Sequence, residues 1–171
     1  GTNSFILDTI NPTTAIASYD ISDDTGSSAS DFITNSTSQT ISGTLDAVTV
    51  TGEVVQVSVD GGTTWVNATN TIGQNTWSKS GVSLQAGANT LKVRVMDAAG
   101  NAGPVMTQNY TLDTSAPSTP TLTLGTGVSD GATASEATQA SGVVRVSGES
   151  GASIVLTFSN GSNTVTKNFT G

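Results

Sequence analysis

The 171-residue chain has no cysteine and no histidine. The first absence removes disulfides and thiol nucleophiles, the second removes imidazole bases, and together they remove nearly all zinc sites. Charge is scarce, at 11% of residues against the usual quarter of a globular chain. Its sign is lopsided, with 5 basic and 13 acidic residues and a net charge of −8. Such a surface repels a phosphate backbone and argues against nucleic acid as a partner. No apolar run approaches the length of a membrane span, so no membrane insertion is expected, and Gly1 opens no signal-peptide pattern. The first residues read as the middle of something longer. No window supports a long amphipathic helix.

Thr, Ser, Val and Gly fill the space that charge leaves. That is the composition of many short strands joined by turns. Without disulfides, a small extracellular domain must be held by its core or by hard metal ions.

The chain repeats itself. "SFILDTINP" (residues 4–12) and "NYTLDTSAP" (residues 109–117) share a grammar at an offset of 105: Leu7 matches Leu112, Asp8 matches Asp113 and Pro12 matches Pro117. Further on, Gly26 matches Gly131, Ala29-Ser30 match Ala134-Ser135, Asp31 matches Glu136 and Ile41-Ser42-Gly43 match Val146-Ser147-Gly148. This period is the size of one β-sandwich domain, not of a solenoid unit. The expected fold is all-β, with tandem immunoglobulin-like β-sandwich domains. Residues 1–11 read as the last strand of a preceding repeat plus a linker, 12–116 as a complete repeat of roughly seven strands, and 117–171 as a partial or short repeat. Nothing in the second repeat matches Leu91 to Leu112.

Alternation marks the strands. Val55 to Val59 alternates, Asp60-Gly61-Gly62 supplies a hairpin turn, and Trp65 begins the return. Ile154 to Phe158 alternates likewise and Asn160-Gly161 follows; Val144–Val146 and Val165–Phe169 complete the second repeat. Leu91, Val93 and Val95 point to one face, and Lys92, Arg94 and Met96 to the other, wet one.

The carboxylates are gathered. Asp20, Asp23, Asp24 and Asp31 crowd the loop after the first strand, in "YDISDDTGSSASDF". Asp97 heads "MDAAGN", with Asn101 supplying an amide oxygen. Asp8 and Asp113 each close the last strand of a repeat, and Asp130 and Glu136 stand in the early loop of the second. Calcium takes six to eight oxygen ligands from carboxylates, carbonyls and water, and none of these spacings is that of an EF-hand. Asp, Asn and Gly also make turns, which alone explains Asp60-Gly61. Like charges packed as densely as Asp23, Asp24 and Asp31 in a charge-poor chain are costly without a cation. In a sandwich, Asp97 should approach the entry segment carrying Asp8, and the Asp23-Asp24-Asp31 loop the exit segment carrying Asp113. A calcium ion at each junction would then clamp one domain to the next, and the following Pro would stiffen the linker.

"LDTSAP", "DDTGSSASDFIT", "VSVDGGTTW" and "VRVMDAAGN" resemble the bacterial Ig-like repeats of giant RTX-type adhesins of Gram-negative bacteria. The resemblance covers the first repeat and the early half of the second. It implies a calcium-stiffened extender, secreted by a type I system and held at the bacterial cell surface, with neighbouring repeats as its partners and the adhesion target bound by other domains. By motif position Asp8, Asp23, Asp24, Asp31, Asp97 and Asp113 inherit a calcium role. "VSDGATASEA" keeps Asp130 and Glu136 but lacks the acidic pair.

The alternative is a carbohydrate- or ligand-binding Ig-like module of a secreted protein, whose signature would be an exposed aromatic platform. Trp65 and Trp77, the only two tryptophans, read instead as core residues. An enzyme is the weakest reading: paired carboxylates could cleave glycosides, but here they sit in turns, with no aromatic cleft for a sugar and no small-molecule substrate implied. The sequons at Asn35, Asn67 and Asn160 are expected by chance in so Thr-rich a chain.

Overall fold

The structure, a computed structural model, describes residues 6–130, 133–137, 142–159 and 161–171, with only the backbone of Asp130, Glu136 and Ala137. The chain divides into two compact units, Gly1–Ser115 and Ala116–Gly171.

The first unit is a sandwich of two sheets. One carries β1 (Ile16–Ile21), β3 (Ser38–Leu45), β7 (Thr76–Ser83) and β6 (Thr69–Asn70), in the order β1-β3-β7-β6. The other carries β2 (Ile33–Thr34), β9 (Met106–Leu112), β8 (Gly87–Met96), β4 (Val54–Ser58) and β5 (Val66–Asn67), in the order β2-β9-β8-β4-β5. Nine strands thus stand where roughly seven are read from the sequence, because three two-residue strands carry too few residues to alternate.

Alternation supplies the core. Val55 and Val57 from β4 and Leu91, Val93 and Val95 from β8 are fully buried and meet Ile41, Leu45, Trp77 and Val82 of the opposite sheet. Burying one such aliphatic side chain stabilises by about 1.5–3 kcal/mol. Lys92, Arg94 and Met96 do face outward, but half-buried rather than fully wet. Tyr110 of β9 is buried, and its hydroxyl donates to the Val59 carbonyl at 2.9 Å while accepting the Gln85 N–H at 3.1 Å.

Trp65 departs from the sequence reading. It is half-buried and outside the core cluster. The Arg94 guanidinium lies 4.0 Å above its ring, and the same guanidinium donates twice to Gln56. In the segment expected to be the last strand of a preceding repeat, Ile6, Leu7 and Asp8 form no regular structure and are exposed, while Ser4 and Phe5 lie outside the described residues.

Among the described residues the second unit has two strand pairs. β10 (Thr121–Leu124) pairs with β11 (Val144–Ser147), and β12 (Ser153–Ser159) with β13 (Thr164–Thr170), both antiparallel. A 3-10 turn at Val128–Asp130 and a single helical turn, α1 (Ala134–Ala137), lie between β10 and β11. Leu122, Leu124, Phe158, Val165 and Phe169 are all more than two-fifths exposed.

Candidate functional site

The acidic loop between β1 and β2 sits on a buried amide. Gln39 of β3 is 1% exposed. Its Nε2 donates to the Asp23 carbonyl, the Thr34 hydroxyl and the Ser36 carbonyl, and its Oε1 accepts the Asp23 N–H at 2.8 Å and the Ser22 hydroxyl at 3.0 Å. All four hydrogen-bonding positions of the amide are therefore used, which is what makes a buried Gln stable. The Thr34 hydroxyl donates to the same Asp23 carbonyl. Thr34 also reaches the exit segment, because its carbonyl accepts the Asp113 N–H at 2.9 Å. One side chain of β3 and one of β2 thus fix the backbone of Asp23 beside that of Asp113.

The carboxylates of this pole do not all turn inward. Asp24 Oδ2 accepts the Phe32 N–H at 2.9 Å. Its Oδ1 is buried and has no hydrogen-bond partner. Asp31 Oδ1 accepts the Ile33 N–H at 3.0 Å, and its Oδ2 accepts the Ser28 N–H and the Ser27 hydroxyl. The Ile33 N–H above all holds the Asp31 carboxyl below its ordinary range, against desolvation; the Ser28 N–H and the Asp24 and Ser27 side chains add to the lowering. Asp24 and Asp31 are therefore neighbours. Asp23 Oδ2 instead accepts the Ser22 and Ser36 hydroxyls at 3.4 Å each. Asp20 bonds its own neighbour, accepting the Ile21 N–H, and Asp113 Oδ1 accepts the Ser115 N–H at 2.9 Å.

Two backbone features shape the loop. Phe32 has a φ of 58°, in the left-handed region that non-glycine residues rarely occupy. Its ring is buried against Tyr19, the centroids 6.3 Å apart and the planes edge to face. Packing thus holds a strained backbone between Asp31 and Ile33. Gly26 backs onto the Asp31 carboxyl: a Cβ there would stand 2.6 Å from Oδ1 and 2.9 Å from the Ile33 Cβ.

The opposite pole carries the second acidic group. Asp97 Oδ1 accepts the Ala99 and Asn101 N–H groups, and its Oδ2 accepts Asn101 Nδ2 at 2.8 Å. The Asn101 side chain, foremost among these donors, lowers the Asp97 carboxyl from its ordinary value. The same Nδ2 donates to the Asp8 carbonyl at 3.2 Å. Asp8 Oδ1 accepts the Ile10 N–H, the same two-residue turn that Asp113 makes with Ser115. The "LDT" match between repeats is thus also a match of local hydrogen bonding.

The structure therefore brings Asp24 to Asp31, the Asp8 carbonyl to the Asn101 amide that also bonds Asp97, and the backbone of Asp113 to the acidic loop. It does not gather three carboxylates at one point among the described residues. The side chains of Asp130 and Glu136 lie outside the described residues. Asp60 is a turn residue, accepting the Ser58 and Thr64 hydroxyls and the Thr63 and Thr64 N–H groups. Those donors push its carboxyl far down, the Ser58 hydroxyl first. The donors at Asp24 and Asp31 are hard oxygens, and a buried carboxyl oxygen without a partner is a costly polar group. That chemistry fits a calcium-like cation.

A family model described as bacterial Ig-like domain matches residues 9–114. The chain belongs to the bacterial Ig-like domain family. The matched span of this Ig-like chain includes all of the first unit's sandwich strands and both of its acidic groups except Asp8. Among solved structures the chain is similar to one described as "Crystal structure of tetra-tandem repeat in extending region of large adhesion protein", at 23% identity and a TM-score of 0.37. The likeness covers 93% of this chain and 39% of that one, so the chain spans about two-fifths of its length. No curated protein matches the chain.

Gln39 is the residue that sequence reasoning missed. A lone Gln in a strand reads as surface, and only its place inside the β3 alternation, two residues before buried Ile41, hints that it faces inward.

Proposed function

We propose that the chain is an extender segment of a bacterial cell-surface adhesin, non-enzymatic and extracellular, whose Ig-like units are stiffened by calcium. Membership of the bacterial Ig-like family and the 105-residue internal repeat support the structural role. The observation that carries the calcium reading is Asp24 Oδ1, buried and unpartnered beside Asp31. Asp24 and Asp31 would hold the ion, and the backbone of Asp23 and Asp113 would bring the exit segment alongside. Asp8, Asp97 and Asn101 would form the corresponding group at the entry pole, and Asp130 and Glu136 that of the next repeat. An ion supplies the positive charge that cancels repulsion among these carboxylates. Gln39 and Thr34 hold the loop in place whether or not an ion is bound. Neighbouring repeats of the same chain are the partners in this reading, and the adhesion target belongs to other domains.

The test is thermal melting with calcium, followed at the buried Trp77. Calcium should raise the midpoint, and the double variant Asp24→Asn/Asp31→Asn should abolish the rise. A midpoint unchanged between millimolar calcium and excess chelator refutes the calcium reading. Small-angle scattering tests the stiffening: Asp113→Ala in calcium should show a shorter maximum dimension than the wild type. Equal dimensions with and without calcium would reduce Asp113 to a turn residue.

A further inference from the structure

The sheet β2-β9-β8-β4-β5 has no Asp or Glu in any of its strands, although the chain has 13 acidic residues. Its only charges are Lys92 and Arg94, on the outer side of β8. Neither has an ion-pair partner among the described residues. The Arg94 guanidinium is fixed from two sides. It stacks 4.0 Å over the Trp65 ring, and its Nε and Nη2 donate to Gln56 Oε1 at 3.1 and 3.0 Å. Gln56 is itself held, donating from Nε2 to Asn67 Oδ1 at 3.0 Å. Only two of the five guanidinium N–H groups are used in this way. Lys92 reaches the same indole: a Cβ at Gly62 would lie 3.5 Å from both Lys92 Cδ and Trp65 Cζ2. Two cations gathered at one ring repel each other, and an anion between them relieves the repulsion. An Arg fixed in advance loses less freedom on taking that anion.

Beside the two cations lies a shallow hollow of about 250 Å³, lined by Ala88, Asn89, Thr90, Asn109, Tyr110 and Thr111. Thr90 stands two residues before Lys92 on the same side of β8, about 7 Å along the strand. Asn109 is its partner across on β9, and its Oδ1 accepts the Thr90 hydroxyl at 3.3 Å. The Asn109 amide nitrogen makes no hydrogen bond among the described residues. Hydroxyls and amides in the hollow, with two cations at its end, suit a hydroxyl-rich ring that carries one carboxylate. A peptide strand is disfavoured, because β8 is paired on both edges and has none left for strand addition. A nucleic-acid duplex carries a charge every ~1.7 Å and meets the repulsion of the whole acidic chain. An acidic sugar brings a single carboxylate to a sheet that has none.

We propose that the outer face of β8 and β9 binds an acidic sugar, a uronic acid unit of a polysaccharide. Arg94 and Lys92 take its carboxylate, and Thr90, Asn109 and Thr111 take its hydroxyls. Trp65 is a positioning residue: Arg94 occupies its ring face, so it holds the guanidinium rather than stacking on the sugar. This inference is independent of calcium and of the extender role.

The test titrates the full 171-residue chain with trigalacturonic acid in excess chelator, so that no calcium bridges carboxylates. Saturable shifts of the Thr90, Lys92, Arg94 and Asn109 amide resonances are expected. The carboxyl-reduced, neutral trisaccharide should bind about tenfold more weakly or worse, the loss of a charge-assisted contact. The chain variant Lys92→Gln/Arg94→Gln should show the same loss. Trp65→Leu should weaken binding with every charge in place, because the guanidinium is no longer held. A Trp77 melting midpoint unchanged in the double variant separates loss of the site from loss of the fold, and Lys92→Gln alone serves if that midpoint falls. The proposal is overturned by an absence of saturable binding, by equal affinity for the neutral trisaccharide, or by undiminished binding in the variants of Lys92 and Arg94. A hexaglutamate peptide that binds as tightly as the acidic trisaccharide also overturns it, because an acidic protein segment would then be the ligand.

Discussion

β4 and β12 make the same local choice: an alternating apolar strand, a glycine turn and an antiparallel return. β4 ends with Val55 and Val57 at zero exposure, while β12 leaves Phe158 and Val155 more than two-fifths exposed. The difference is not in either strand. It lies in their neighbours: β4 is paired with both β5 and β8, while among the described residues β12 pairs with β13 alone. Pattern makes a strand, but a third and fourth neighbour make it a core. Charge follows the same division. The first unit holds ten of the thirteen acidic residues and three of the five basic ones, so the unit with a closed core is also the one that carries the electrostatic load.

The largest expected effect breaks that closure. Leu91→Ala in β8 should cost about 2–5 kcal/mol, the range for deleting a fully buried Leu, read from denaturant unfolding. Both tryptophans lie in the first unit, so fluorescence reports it alone. Leu156→Ala, in the second unit, should leave that transition untouched. Calcium comes next: under the proposed role, an ion at 100 times its dissociation constant adds about 2.7 kcal/mol to the first unit, seen as a higher fluorescence midpoint. Gln39→Leu strands the Asp23 N–H over an apolar side chain and should cost about 1–3 kcal/mol, measured in the same way. It should also lower calcium affinity, because the loop loses its support.

The smallest effect is on pH. The Asp31, Asp60 and Asp97 carboxyls are all held below their ordinary values. A carboxyl lowered in the folded state contributes stability that is complete above its unfolded value, about 3.9. That contribution is lost as pH falls through the folded value. The first unit should therefore lose stability on acidification below about pH 4, not near neutrality. Asp60→Asn, which can no longer accept four donors as an anion, should flatten that decline in an acid titration followed by tryptophan fluorescence.

Much of this was legible in the sequence, for a physical reason. Ile154 to Phe158 and Val165 to Phe169 alternate beside a glycine turn, and both fall within observed strands. Leu91, Val93 and Val95 carry the core because period two is enforced by the pleat. The poles were also legible, because strand order decides which loops share an end. What was not legible depends on non-local or competing contacts. Trp65 is taken out of the core by Arg94, 29 positions away. β2 is two residues long and owes its existence to parallel pairing with β9. The aim of each carboxylate was hidden too, because an Asp can satisfy itself on a backbone N–H two residues on, as Asp8, Asp31, Asp97 and Asp113 all do.

Gly26 touches nothing with a side chain, yet the space it leaves empty is where Asp31 rests. Any residue placed there must drive that carboxyl and the Ile33 Cβ away. Under the proposed calcium role, a saturation screen for calcium dependence would score Gly26 beside Asp24 and Asp31, although it offers no side-chain ligand. In an alignment of such repeats, the loss of this one glycine would, under that role, mark a silenced pole even where every aspartate survives.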